Sequence, residues 1–189
     1  MADIDWRGYR LAAWVGLAVL VVTIGLALAQ GRRGEAFLLV ACLALLAVGF
    51  VLHNRLPSFF ALLVVIAALL SAGGWAWNLY RGLLPYDEIA HGVTVLAVTL
   101  AGGFYVYRVL LEVCRSRRWL LGIMLVTLGL ALGATWEVVE IFFLVPQERM
   151  TLHDTITDLV VDGTGAVLAV PFGFWALKQR PPRSKSDQV

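Results

Sequence analysis

Residues 119–145 read WLLGIMLVTLGLALGATWEVVEIFFLV, and from Trp119 to Trp136 eighteen residues pass without a charge. At ~1.5 Å of rise per residue, a helix over this stretch is long enough to cross the ~30 Å hydrocarbon core of a bilayer. The apolar run then breaks at Glu137 and Glu140, three residues apart and so on one side of that helix. Outward from it, five more stretches satisfy the same criterion: 9–29, 36–52, 58–80, 88–110 and 154–177. The fold expected is all-α: a polytopic membrane protein, a bundle of six transmembrane helices with short loops. It forms one domain over 1–178, followed by a disordered cytoplasmic tail at 179–189.

Composition agrees. Of 189 residues 60% are hydrophobic and only 15% charged, with a mean hydropathy of +0.83. Soluble domains lie nearer half apolar and a quarter charged, so an ordinary cytosolic enzyme and a disordered chain are both excluded. A net charge of +2 leaves no broad basic face, which argues against nucleic acid as a partner. Cys42 and Cys114 make neither a disulfide framework nor a zinc spacing.

The basic residues set the direction of the spans. Arg7, Arg10, Arg55, Arg108, Arg115, Arg117, Arg118, Lys178, Arg180, Arg183 and Lys185 fall on one side, against Arg32, Arg33, Arg81 and Arg149 on the other. The positive-inside bias therefore puts both termini of a multi-pass protein in the cytoplasm. Ala27-Leu28-Ala29 before Gln30 looks like a signal-peptidase site, but the long apolar run and the acidic Asp3 and Asp5 argue against cleavage.

Acids are distributed the opposite way. Seven of the thirteen are Asp87, Glu88, Glu137, Glu140, Asp154, Asp158 and Asp162, with His91 and His153 among them. All seven fall in the outer half of the membrane or at its outer edge. Helical rise puts Glu137 and Asp162 roughly 12 Å deep, and His91, Glu140 and Asp158 roughly 6 Å deep. Asp87 with His91, Glu137 with Glu140, and Asp154 with Asp158 and Asp162 each share one helix face. Lipid exposure of such groups costs about 2.5–3.5 kcal/mol each, so the three stripes should face one another or a wet cavity. Carboxylates that meet must be protonated, paired with a cation or bridged by metal. A seam of protonated acids hydrogen-bonded to Thr94, Thr135, Thr157 and Thr164 is the plainer alternative.

In order, Tyr86-Asp87-Glu88-Ile89-Ala90-His91, Trp136-Glu137-Val138-Val139-Glu140 and Asp154-x3-Asp158-x3-Asp162-x2-Gly165 resemble the YjdF-like family of bacterial inner-membrane proteins. More distantly the set is similar to the VanZ-like group, with Asp-x3-His, Glu-x2-Gln and Arg…Asp-x3-Asn-x2-Gly. Glu140 stands here for its Gln, Asp162 for its Asn, and Glu88 where Lys is frequent. The resemblance covers roughly residues 80–170. It implies a polar site shared by the last three helices, without supplying a reaction.

Three functions follow from the acids. In the first, a divalent metal (Mg²⁺, Mn²⁺, Zn²⁺ or Fe²⁺) is held by His91, Glu137, Asp158 and Asp162. Glu140 is then a general base, Arg149 a holder of a substrate phosphate or carboxylate, and Asp87 and Asp154 further polar groups of the site. A site at headgroup depth points to membrane lipids or a lipid-linked substrate. The second is a cation or proton transporter. The third is a structural or accessory membrane subunit. Paired Glu-x2-His motifs and His-Glu-x2-His are absent, which disfavours di-iron and zinc-protease chemistry. Gly73-Gly74 and Gly102-Gly103 suggest close helix contacts, Gly163 and Gly165 are expected to set span six beside span five, and Pro171 to bend span six.

Overall fold

A computed structural model describes residues 6–31, 35–52, 57–82, 85–105, 110–144 and 151–179. Every regular element among them is helical: α1 (Trp6–Ala29), α2 (Glu35–Leu52), α3 (Ser58–Ala76), α4 (Leu79–Gly82), α5 (Tyr86–Tyr105), α6 (Leu110–Ser116), α7 (Arg118–Val139) and α8 (Leu152–Gln179). A π-helical turn at Glu140–Leu144 extends α7. Among the described residues, five helices are long and apolar enough to cross a membrane: Tyr9–Ala29, Ser58–Ala76, Tyr86–Tyr105, Arg118–Phe142 and Leu152–Lys178. By length and composition this is a multi-pass membrane protein, and α2 is an eighteen-residue helix at the expected stretch 36–52. The expected tail beyond Gln179 lies outside the described residues.

The boundaries differ from expectation where backbone chemistry intervenes. Span three does not run to residue 80. The Trp77 N–H closes α3 on the Gly73 carbonyl at 3.0 Å, and Asn78 takes φ 57°. Asn tolerates this left-handed conformation better than most side chains, so the helix stops and the chain turns. The turn lays the Tyr80 ring over Gly74, where a Cβ would fall into the ring. Tyr80 meets Trp75 and Tyr86 edge-on, with centroids at 5.4 and 5.6 Å. Span four begins two residues early, at Tyr86, because Pro85 starts the helix with its carbonyl accepting the Ile89 N–H at 3.1 Å. α8 begins two residues before the expected 154, at Leu152, and runs to Gln179 with Pro171 inside it.

Two groups of helices make up the molecule. α1 and α2 pack on α3, α7 and α8 pack together and against α5, and α3 joins α5. α1 and α3 run parallel: Tyr9 meets Phe59 at 5.5 Å near their starts, and Gly16 faces Val65 further along. α5 and α8 also run parallel, with α7 antiparallel to both, as Gly92 facing Gly165, Gly103 facing Leu125, and Gly133 facing Asp162 require. Phe59 further contacts Phe172 and Trp175, and Phe60 meets Phe104. This aromatic cluster lies at the end of the bundle opposite Trp75, Tyr80 and Tyr86. Leu11, Val15 and Val22 of α1 and Ile123 and Leu130 of α7 are exposed, an apolar exterior suited to lipid.

α5 and α8 approach backbone to backbone where two glycines meet. Gly165 rests on the Gly92 backbone, so a Cβ there would fall into the Gly92 carbonyl oxygen. This corrects the expected role of Gly165, which places α8 against α5; Gly163 is the one that faces α7, through Leu130. In lipid, where burial gives no hydrophobic gain between helices, such close packing is what holds them together. Cys114 is buried in the core, and desolvation raises its thiol pKa, so it stays a neutral packing group.

Candidate metal centre

Three helix ends converge on the acids. Tyr86 fixes the start of α5 by donating its hydroxyl to the Leu70 carbonyl at 2.6 Å, in a space left open by Gly73. α8 starts at a Thr151 cap, whose Oγ1 accepts the Asp154 N–H at 3.1 Å. Asp87 and Asp154 therefore lie in the first turns of α5 and α8, where the helix dipole favours negative charge.

One turn deeper, His91 of α5, Glu137 of α7 and Asp162 of α8 come together. His91 Nδ1 is 3.4 Å from Asp162 Oδ1 and 3.8 Å from Glu137 Oε1, while its Nε2 is 3.7 Å from Asp87 Oδ1. One ligand atom from each of His91, Glu137 and Asp162 fits within 4.8 Å of the others. Gly133, one turn before Glu137, is what admits Asp162: a Cβ there would stand 2.6 Å from Asp162 Oδ2. Gly129 opens the next turn to Ala166 in the same way.

These carboxylates are deeply enclosed, Glu137 being 3% and Asp162 1% exposed. Neither oxygen of either one has a hydrogen-bond partner among the described residues. The contacts to His91 are at ion-pair distance without hydrogen-bond geometry. A buried carboxylate in that state is strongly unfavourable, and one imidazole supplies at most a single positive charge against two acids.

The threonine seam does not supply the missing donors. Thr135 donates to the Ala131 carbonyl at 2.7 Å and Thr164 to Val160 at 2.9 Å, both on exposed faces. Thr157 bonds the His153 carbonyl at 2.9 Å and sits 3.1 Å from His153 Nδ1, which holds that exposed histidine away from the acids. These three hydroxyls bond their own helix carbonyls, and none of the seam threonines, Thr94 included, bonds Glu137 or Asp162.

A second group forms above the first, from Asp87, Asp154 and Asp158, again with one oxygen of each within 4.8 Å. The four expected ligands therefore divide. His91, Glu137 and Asp162 share one group, whereas Asp158 joins Asp87 and Asp154, because a helical turn of ~5.4 Å separates it from Asp162. His91 belongs to both levels, with one ring nitrogen toward each. Half-buried Glu140 lies within electrostatic reach of His91, Asp87 and Asp154 and beside Trp136. It opens the π-helical turn, a feature found often at functional sites. Arg149 lies outside the described residues.

A family model described as "Predicted membrane protein (DUF2238)" matches residues 11–179. The chain belongs to this family. The YjdF-like resemblance is to the same family, whereas the VanZ-like relation finds no support. No curated protein and no solved structure matches the chain. The DUF2238 match reaches from within α1 to the end of α8 and names a membrane protein but no reaction. Two carboxylates and one imidazole nitrogen form a mixed oxygen–nitrogen donor set that can hold a first-row divalent ion.

The glycine pair that shapes the site was missed at the sequence level, although Gly129-x3-Gly133 is a small-residue motif of close helix contact. The π-helical turn carries no comparable signal; Pro146, which has no N–H to continue the α pattern to the Phe142 carbonyl, is the nearest one.

Proposed function

We propose that this protein is a metal-dependent membrane enzyme, with a divalent cation held by His91, Glu137 and Asp162, acting on a lipid or lipid-linked substrate. The observation that carries the proposal is the set of four buried, unpartnered oxygens of Glu137 and Asp162 facing one imidazole nitrogen. His91, Glu137 and Asp162 would hold the cation, which would offset their excess negative charge and lower the pKa of a coordinated water. His91 would bind through Nδ1 and keep its Nε2–H toward Asp87, a carboxylate–histidine pair that orients the ring. Glu140, close to His91 and less enclosed, is placed to accept a proton from that water. Arg149 is proposed to hold an anionic group of the substrate. Ester or phosphoester hydrolysis near the headgroups is the reaction class that fits these groups.

The proposal includes six crossings of the inner membrane and cytoplasmic termini. α1 and α3 start at the same end of the bundle, which supports α2 as the return crossing between them. The transporter alternative draws on one observation, the fully buried Thr99 Oγ1, which has no hydrogen-bond partner among the described residues and lies two helical turns beyond His91.

Purified protein in nanodiscs of mixed phospholipids, loaded with Mn²⁺, is expected to release water-soluble headgroup products. Glu140→Gln should lower that rate by roughly 10²-fold or more while leaving bound metal unchanged. Release that is equal in Glu140→Gln, or cation flux across vesicles without turnover, would reject the enzymatic role.

A further inference from the structure

We propose that Asp87, Asp154 and Asp158 form a second divalent-cation site, distinct from the His91–Glu137–Asp162 site and directly above it. The helix dipoles account for Asp87 and Asp154, which lie in first turns. They do not account for Asp158. It sits a turn further along α8, is 6% exposed, and brings an oxygen within 4.8 Å of oxygens of the other two. Among the described residues it makes no hydrogen bond or ion pair. Its neighbours in electrostatic range are three further acids, Asp87, Asp154 and Glu140, against the single base His91. Three carboxylates therefore converge with no cation of their own, since His91 also faces Glu137 and Asp162 through its other nitrogen.

Donor chemistry separates the two sites. The deeper one offers an imidazole nitrogen and suits first-row transition ions. The outer one offers carboxylate oxygens alone and suits a hard ion such as Mg²⁺, Ca²⁺ or Mn²⁺. Asp154 is exposed, so the outer ion keeps positions open to water.

The test uses the full chain in detergent, stripped with chelator and equilibrated with Mn²⁺, with bound manganese counted by mass spectrometry. The expected content is about two equivalents for the wild type and about one for Asp158→Asn. Asp154→Asn, an exposed change that leaves packing intact, should weaken one of the two sites by about tenfold or more. The double variant Glu137→Gln/Asp162→Asn should also retain about one equivalent, the outer one. A wild type with one equivalent that survives Asp158→Asn, or one with none, overturns the outer site. Two equivalents that fall to one only in Asp158→Asn, with Glu137→Gln/Asp162→Asn unaffected, uphold the outer site and refute the deeper one.

Discussion

Glu137 and Asp162 set the problem at the scale of single residues. Their sequence spacing was enough to place each on an acidic helix face and at a similar depth, and the structure brings them to the same imidazole. What spacing could not show is how closely they approach, since that depends on the missing side chain of Gly133 on the facing helix. Nor could it show that the threonines bond their own helices, because either partner is open to a hydroxyl until the rotamer is known. The account predicts that Mn²⁺ at about 100 times its Kd stabilises the wild type by about 2.7 kcal/mol, read as a rise in unfolding temperature. Glu137→Gln or Asp162→Asn should remove that share of the rise and leave only what the outer site contributes. In a seam of protonated acids the same substitutions would leave the response to metal unchanged, and such a result would count against the site.

At the scale of elements, the apolar runs predicted helix identity well and helix ends poorly. Length and hydropathy decide whether a segment crosses, whereas ends are decided by local events such as the left-handed Asn78, the Pro85 start of α5 and the Thr151 cap. Close contacts between elements were legible only as glycine positions. Gly165 was correctly read as a contact residue but assigned to α7, because sequence neighbours are a poor guide to which of two adjacent helices a face meets. Its true partner yields a prediction. Gly165→Ala puts a methyl group against the Gly92 backbone and should cost about 1–3 kcal/mol in thermal or denaturant unfolding. Because α8 carries Asp162 while α5 carries His91, the same change should weaken Mn²⁺ binding. Wild-type affinity in that variant would mean that α5–α8 spacing does not set the site. Gly163→Ala, facing only a flexible Leu130 methyl at 3.4 Å, should be far milder on both readouts.

For the whole molecule, few charges carry most of the information. The basic residues predict which end faces the cytoplasm, and the two aromatic clusters mark opposite ends of the bundle. Parity then tests the count of crossings. Six crossings, with α2 among them, put both termini on one side, whereas five crossings would put them on opposite sides. Reporter fusions at each end should both be active in the cytoplasm, and an external C-terminal fusion would remove α2 from the membrane. Membrane class was legible because it follows from summed composition; the chemistry was not, because it depends on an ion that no side chain encodes. The central claim is that these acids hold metal, and elemental analysis of the purified chain tests it most directly. The account predicts at least about one equivalent of a divalent metal, lost when Glu137→Gln and Asp162→Asn are combined with Asp158→Asn. A folded wild-type protein that carries no metal and takes none up from a buffer containing Mn²⁺, Zn²⁺ and Mg²⁺ would contradict it.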